Sequence, residues 1–386
     1  MQTAQCLNQI KPYLFAEIDR KRDALREQGI DVISLGIGDP DLPTPQHVID
    51  AMMQAIQKPQ NHQYPDYAGS IEFRTAAATY MKNRFGVEVD PKTEVLALIG
   101  SKEGIAHLHT AFVNPDEYVL APSIGYPVYS IGATLQNANT YFMPMKAENG
   151  FLADFDNVPA EVLAKAKIMF LGYPNNPTGA IAPVEYFDKA IAFCKQHGIL
   201  LAHDNAYADL SFEGYVAPSI LERPGAKDVC IEFFSLSKPY NMTGWRIAFA
   251  CGNEQAVKAL GTVKNNLDSG QFTAIQEAGC VALLESDEFV AQMNSIYQHR
   301  RDLVVDALRA IGMQVEAPKA TIYVWARVPK GETSESFATK LLEKAHVIVT
   351  PGSGYGPDGE GYIRISLTTP DDRLLEAVER MRSAMA

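Results

Sequence analysis

The stretch "SLSKPYNMTGWRIAFACGN", residues 235–253, sets one lysine among small hydroxyl residues and places an arginine eight positions later. Ser235, Ser237 and Arg246 suit a phosphate, because hydroxyls donate and a guanidinium fork supplies two coplanar donors. Lys238 admits two readings. Lysines ordinarily sit on a solvated surface. Here the apolar run "VCIEFF" leads into it and Pro239 follows, which places it at a strand end. A lysine in a pocket beside other cations has a depressed pKa and can attack a carbonyl. Asp204 ends "ILLAHDNAY". It is either a helix N-cap or, with Tyr207 close by, a carboxylate placed to hold a protonated ring nitrogen. "YPNNPTG", 173–179, is turn chemistry, yet asparagines at a strand end can also bond a ring substituent. "GSKEGIAH", 100–107, opens a helix, and helix N-termini bind phosphate, although the stretch matches neither a P-loop nor G-x-G-x-x-G. Tyr126 reads equally as a core aromatic or as a ring stacked on a planar ligand. Arg364, between Ile363 and Ile365 in an alternating strand, is either solvated or a carboxylate clamp.

These residues need elements to bring them together. Apolar runs at 94–100, 117–123, 167–174, 198–204, 229–235 and 246–252 end in Gly, Pro, Ser or Asp and alternate with amphipathic helical patterns. Continuous apolar strands separated by helices predict a mainly parallel sheet covered on both faces. In such sheets ligands bind at the carboxyl ends of the strands. The polar residues recurring there are Ser101, Ser123, Asn175, Asn176, Asp204, Ser235 and Ser237. From about residue 290 the pattern changes to a long helix, two alternating strands ("TIYVWARV", "GYIRISL") and helices at 333–344 and 370–384, a smaller α+β domain.

A length of 386 residues predicts more than one core. The net charge of -12 argues against non-specific nucleic-acid or anionic-membrane binding. Five isolated cysteines without C-x-x-C spacing indicate neither a zinc site nor a disulfide framework, and point to buried thiols in a reducing cytoplasm. No signal peptide or membrane-spanning run is present, so a cytoplasmic location is expected.

"YPNNPTG", "HDNAYADL" and "SLSKPYNMTGWRIAFACGN", in this order, resemble the pyridoxal-phosphate (PLP) aminotransferases of fold type I, class I/II. The likeness covers nearly the whole chain, from "SLGIGDPDLPTP" to "GYIRISLTTP". "YPDYAGS", "GSKEGIAH", "SKPYNMTGWRI" and "VIVTPGSGYGPDGEGYIRISL" are similar to the LL-diaminopimelate aminotransferases and their alanine-aminotransferase-like neighbours. The resemblance implies a three-layer α/β fold with a mainly parallel seven-stranded sheet plus a smaller α+β domain. It divides the chain into an N-terminal arm with part of the small domain (1–45), a large PLP-binding domain (46–288) and a small C-terminal domain (289–386). It makes Lys238 the lysine joined to the cofactor and the carrier of the migrating proton. Asp204 would pair with the pyridinium nitrogen, Asn176 and Tyr207 would hold the ring's phenolic oxygen, and Tyr126 would stack on the ring. Ser101, Lys102, Ser235, Ser237 and Arg246 would hold the phosphate, with Tyr64 reaching it from a second subunit of a homodimer. Arg364 would clamp the substrate carboxylate, Gly38 would let that carboxylate approach the backbone, and Tyr13, Lys102 and the partner-derived Asn266 would line the substrate side.

The implied activity is ping-pong transfer of an amino group between an amino acid and a 2-oxo acid, with no metal, as LL-diaminopimelate aminotransferase in lysine biosynthesis. Alternatives are an alanine/glutamate-type or broader aminotransferase, a PLP-dependent β-lyase and a non-catalytic regulator on the same fold. One feature departs from the diaminopimelate pattern. In those enzymes the loop after the phosphate-contacting tyrosine carries a glutamate able to pair with the distal ammonium group. Here "YPDYAGS" has Tyr67 and Ala68 in that place, with Asp66 the only acid nearby.

Overall fold

The computed structural model describes residues 1–10 and 14–385. Among these residues three sheets form. In chain order the strands are β1 (Ile33–Ser34), β2 (Val95–Leu98), β3 (Tyr118–Pro122), β4 (Asn139–Met143), β5 (Ala166–Leu171), β6 (Leu200–Asp204), β7 (Cys230–Ser235), β8 (Ala248–Gly252), β9 (Tyr323–Arg327), β10 (Val347–Ile348), β11 (Thr350–Pro351) and β12 (Tyr362–Ser366). The seven-stranded sheet has the order β2-β8-β7-β6-β5-β3-β4. Its pairs are parallel except those made by β8, which runs against both neighbours.

The sheet is buried on both faces, which is why its strands carry no polar alternation. Within β5, Ile168 and Phe170 face one core while Met169 and Leu171 face the other. Helices Ser101–Phe112, Val128–Leu135 and Glu254–Leu267 supply the first core. Helices Ile71–Phe85, Val184–His197 and Thr273–Glu285 supply the second. The result is three layers. Six strands coincide with the six apolar runs; the seventh, β4, is an edge strand with only Met143 buried, so its sequence "NTYFM" lacks the apolar signature.

A third core gathers β9 and β12 with helices Asp287–Ala310, Ser334–Lys340 and Asp371–Met385. The segment before Gly38 is bound to this body. β1 pairs with β10, Thr350 Oγ1 donates to the Gly36 carbonyl at 2.8 Å, and Thr368 Oγ1 donates to that of Ile37 at 3.1 Å. Gly38 is thereby carried to the carboxyl ends of the large sheet's strands.

Beneath those ends lies a buried polar network. Glu232 on β7 accepts from His203 Nδ1 at 2.8 Å, Asn205 Nδ2 at 2.9 Å, the Ile220 N–H at 3.2 Å and the Ser219 hydroxyl. The Tyr173 N–H donates to His203 Nε2, so the imidazole is neutral with its proton on Nδ1. This network fixes the residues on either side of Asp204. Glu232→Ala would strand several buried donors, and urea denaturation should show a loss of about 3 kcal/mol.

Candidate functional site

The strand ends open onto a cleft of about 360 Å³, lined from both bodies, within the size range of small-molecule sites. Lys238 follows β7 directly. Its Nζ donates to the Gly38 carbonyl at 2.6 Å. Burial depresses its pKa, and the cations of Arg364 and Arg246 act the same way against the opposing influence of Tyr323 and Asp39. The surface-lysine reading is thus replaced by an amine held inside a cleft.

Asp204 ends β6. Its Oδ2 accepts from Tyr129 Oη at 2.8 Å, while Oδ1 is buried without a partner. Burial raises its pKa. An unpaired buried carboxylate oxygen is costly unless a cation or donor meets it. The N-cap alternative does not hold, since no helix starts at Asp204.

The two asparagines of "YPNNPTG" part company. Asn175 builds the turn, bonding the Gly172 carbonyl through Nδ2 and accepting from the Thr178 N–H and hydroxyl. Asn176 lines the cleft and accepts from Arg364 Nη1 at 2.9 Å. Arg364 is 1% exposed. Its Nη2 donates to the Gly36 carbonyl at 2.5 Å, and its guanidinium lies 4.0 Å over the Tyr323 ring and 5.0 Å from that of Tyr355. The solvated-strand alternative is excluded: the arginine faces the cleft. Tyr207 also lines it and donates to Tyr323 Oη at 3.1 Å.

Ser101, Lys102, Ser235, Ser237, Thr243 and Arg246 also line the cleft. Gly100 has φ +84°, and a Cβ there would lie 2.1 Å from Arg246 Nη2. The glycine therefore lets the guanidinium settle against the start of helix Ser101–Phe112, a place whose backbone N–H groups attract anions. Tyr126 lines the cleft with its ring 5.8 Å from the Lys102 ammonium.

Tyr64 and Asn266 are not brought to this cleft by their own chain. Tyr64 is 87% exposed, and Asn266 bonds the Thr262 carbonyl within its own helix. Tyr13 lies outside the described residues. Asp66 is engaged in its own turn, its Oδ1 accepting from the Ala68 N–H at 2.8 Å. Four polar lining residues were not singled out from sequence: Asp39, Tyr129, Thr243 and Tyr323. Tyr129 follows Tyr126 by three residues, and Tyr323 is a diagonal cross-strand neighbour of Arg364, whose direct partner is Trp325. Those spacings were the available signals.

One cleft thus gathers a buried amine, a buried carboxylate, a group of hydroxyls with Arg246, and a buried Arg364, a set suited to carbonyl chemistry. Comparison with known proteins says which. The family model for aminotransferase class I and II matches residues 30–381, and the chain belongs to that family. The chain is 50% identical over 385 residues to the LL-diaminopimelate aminotransferase of Moorella thermoacetica, covering 100% of this chain and 99% of the relative. It is 53% identical over 386 residues to LL-diaminopimelate aminotransferase 2 of Trichormus variabilis, with the same coverage. Among solved structures, substrate-bound BacF of Bacillus subtilis superposes with TM-score 0.96 at 39% identity, covering 99% of this chain and 98% of that one. A double mutant of Thermus thermophilus aspartate aminotransferase gives TM-score 0.93 at 28% identity, with both chains fully covered. Membership of the family implies pyridoxal phosphate as cofactor. No helix among the described residues is long and apolar enough to cross a membrane.

Proposed function

We propose that the chain is a PLP-dependent LL-diaminopimelate aminotransferase of lysine biosynthesis, acting in the cytoplasm as a homodimer, with 2-oxoglutarate as amino acceptor. The observation that carries the substrate is the full-length identity of 50–53% to relatives of that name, which favours it over an alanine/glutamate-type enzyme, a lyase or a regulator.

The residues fit the cofactor. Asp204 Oδ1, buried without a partner, is suited to a pyridinium N–H. Gly100 and Arg246, with Ser101, Lys102, Ser235 and Ser237, are suited to its phosphate. Tyr126 would cover the ring, and Asn176 and Tyr207 would bond its oxygen. When bound, the cofactor supplies an electron sink for the pair left on the substrate's α-carbon.

The chain's own residues do the rest. Arg364 would take the α-carboxylate in a two-point bond, oriented by Asn176 and the Gly36 carbonyl. Lys238, neutralised readily because burial lowers its pKa, would accept the α-proton at Nζ and hold it until it is returned. The Gly38 carbonyl steers that amine. Lys102 would face the substrate side, and Tyr64 and Asn266 would enter from the second subunit, Tyr64 toward the phosphate and Asn266 toward the substrate. Their exposure here leaves both available for that.

Two experiments test this reading. Steady-state rates with LL-diaminopimelate and 2-oxoglutarate should give parallel double-reciprocal lines and one glutamate per turnover; release of ammonia instead would replace the aminotransferase by a lyase. Asp204→Asn should weaken PLP binding about tenfold to a hundredfold. The same change should stabilise the cofactor-stripped protein. Because the folded-state pKa of Asp204 is raised, its contribution to stability is lost as pH rises above the ordinary carboxylate range. The thermal advantage of Asp204→Asn should therefore be absent near pH 3 and grow toward neutrality.

A further inference from the structure

Tyr323 is in none of the roles assigned above, yet its hydroxyl stands at their meeting point. The ring is almost fully buried on β9. Tyr207 donates to its oxygen at 3.1 Å, and the Arg364 guanidinium lies 4.0 Å over its ring. A Cβ built on Gly38 would lie 2.0 Å from that same oxygen. The space that a glycine leaves at position 38 is thus filled by the Tyr323 hydroxyl. One oxygen receives the Tyr207 donor and has the Arg364 and Lys238 cations as positive neighbours, an environment built for an anionic oxygen more than for a neutral phenol.

We propose that Tyr323 is a stand-in for the substrate carboxylate: its hydroxyl occupies the place against Gly38 and beneath Arg364, and an arriving carboxylate binds by displacing it. The inference rests on the function proposed above. Until displaced, the phenol holds the Arg364 fork and Tyr207 in their working positions and gives Lys238 part of the electrostatic support that a carboxylate later supplies. Burial alone would raise the Tyr323 pKa, but the Arg364 and Lys238 cations outweigh it and bring the phenol below its ordinary value, as that environment requires. Tyr323 is a positioning residue in this account. The other charged groups felt by Lys238 are Asp39, which supports its protonated form, and Arg364 and Arg246, which oppose it.

Tyr323→Phe removes the oxygen and keeps the ring under Arg364. The probe is pimelate, the diaminopimelate skeleton without amino groups, so it binds and cannot react. The readout is the pH titration of the visible band of PLP joined to Lys238. Without pimelate, the band of the Phe variant should titrate about 0.5–1 pH unit below that of the wild type. At saturating pimelate the two pKa values should converge, because the carboxylate then stands where the hydroxyl stood. Pimelate should also bind the variant about three- to tenfold more tightly, having no hydroxyl to displace. A gap that persists undiminished at saturation, no gap without pimelate, or weaker binding to the variant would each overturn the proposal while leaving the proposed function intact. A wild type that forms no visible band with PLP would remove the proposed function, and this inference with it.

Discussion

Lys238→Ala is expected to abolish the visible absorbance of bound PLP and to lower kcat by about 10⁴-fold or more, since both covalent attachment and the proton-carrying amine are lost. The fold should survive the change. The side chain makes one hydrogen bond, to the Gly38 carbonyl, and its burial disfavours the charged form, so its removal leaves no stranded charge. The unfolding midpoint of the cofactor-stripped variant should stay close to that of the wild type. Lys238→Arg should be as inactive as the alanine variant, because a guanidinium keeps the charge and cannot serve as base or nucleophile at working pH. Turnover in either variant near the wild-type rate would remove Lys238 from the mechanism.

Arg364→Ala is the second large effect. A charge-assisted two-point bond to a carboxylate in a dry site is worth about 3–4 kcal/mol when one partner is removed, or roughly 10²–10³ in kcat/KM. The loss should fall mainly on KM, with the PLP band retained, because the change leaves in place Gly100, Ser235, Ser237 and Arg246, the residues proposed to hold the cofactor's phosphate. Lysine at 364 should recover little. It cannot reproduce the planar fork that reaches Asn176 and Gly36 together while stacking on Tyr323. A variant that loses PLP along with substrate would instead assign Arg364 to cofactor binding.

The large sheet was legible because strands buried on both faces must be apolar throughout, and six of the seven are. β4 escaped because an edge strand answers to solvent on one side, and its exposed Asn139 and Phe142 erase the pattern. The polar residues that end the strands were legible for the same reason: an abrupt change from apolar run to Asp, Ser or Asn has to be explained by something at the sheet's end. Single-residue orientation was not legible. Asn175 and Asn176 are adjacent and chemically identical, and only the backbone turn decides that the first bonds its own loop and the second faces Arg364. Tyr129 and Tyr323 were hidden because a tyrosine in an apolar stretch looks like core until its hydroxyl partner, Asp204 or Tyr207, is brought across from a distant segment. Arg364 shows the reverse, an arginine whose alternating strand suggested solvent and whose neighbours across the sheet turn out to be aromatic.

The most direct test of the account is the half-reaction. PLP-loaded enzyme would be mixed with a single amino acid, with no acceptor present, and the loss of the visible band followed in time. Fast loss with LL-diaminopimelate and with glutamate, and slow or no loss with alanine and aspartate, is the result expected. It would mean that a group other than the loop occupied by Tyr67 and Ala68 holds the distal ammonium. Loss with alanine and glutamate but none with LL-diaminopimelate would contradict the proposed substrate and make that loop the reason.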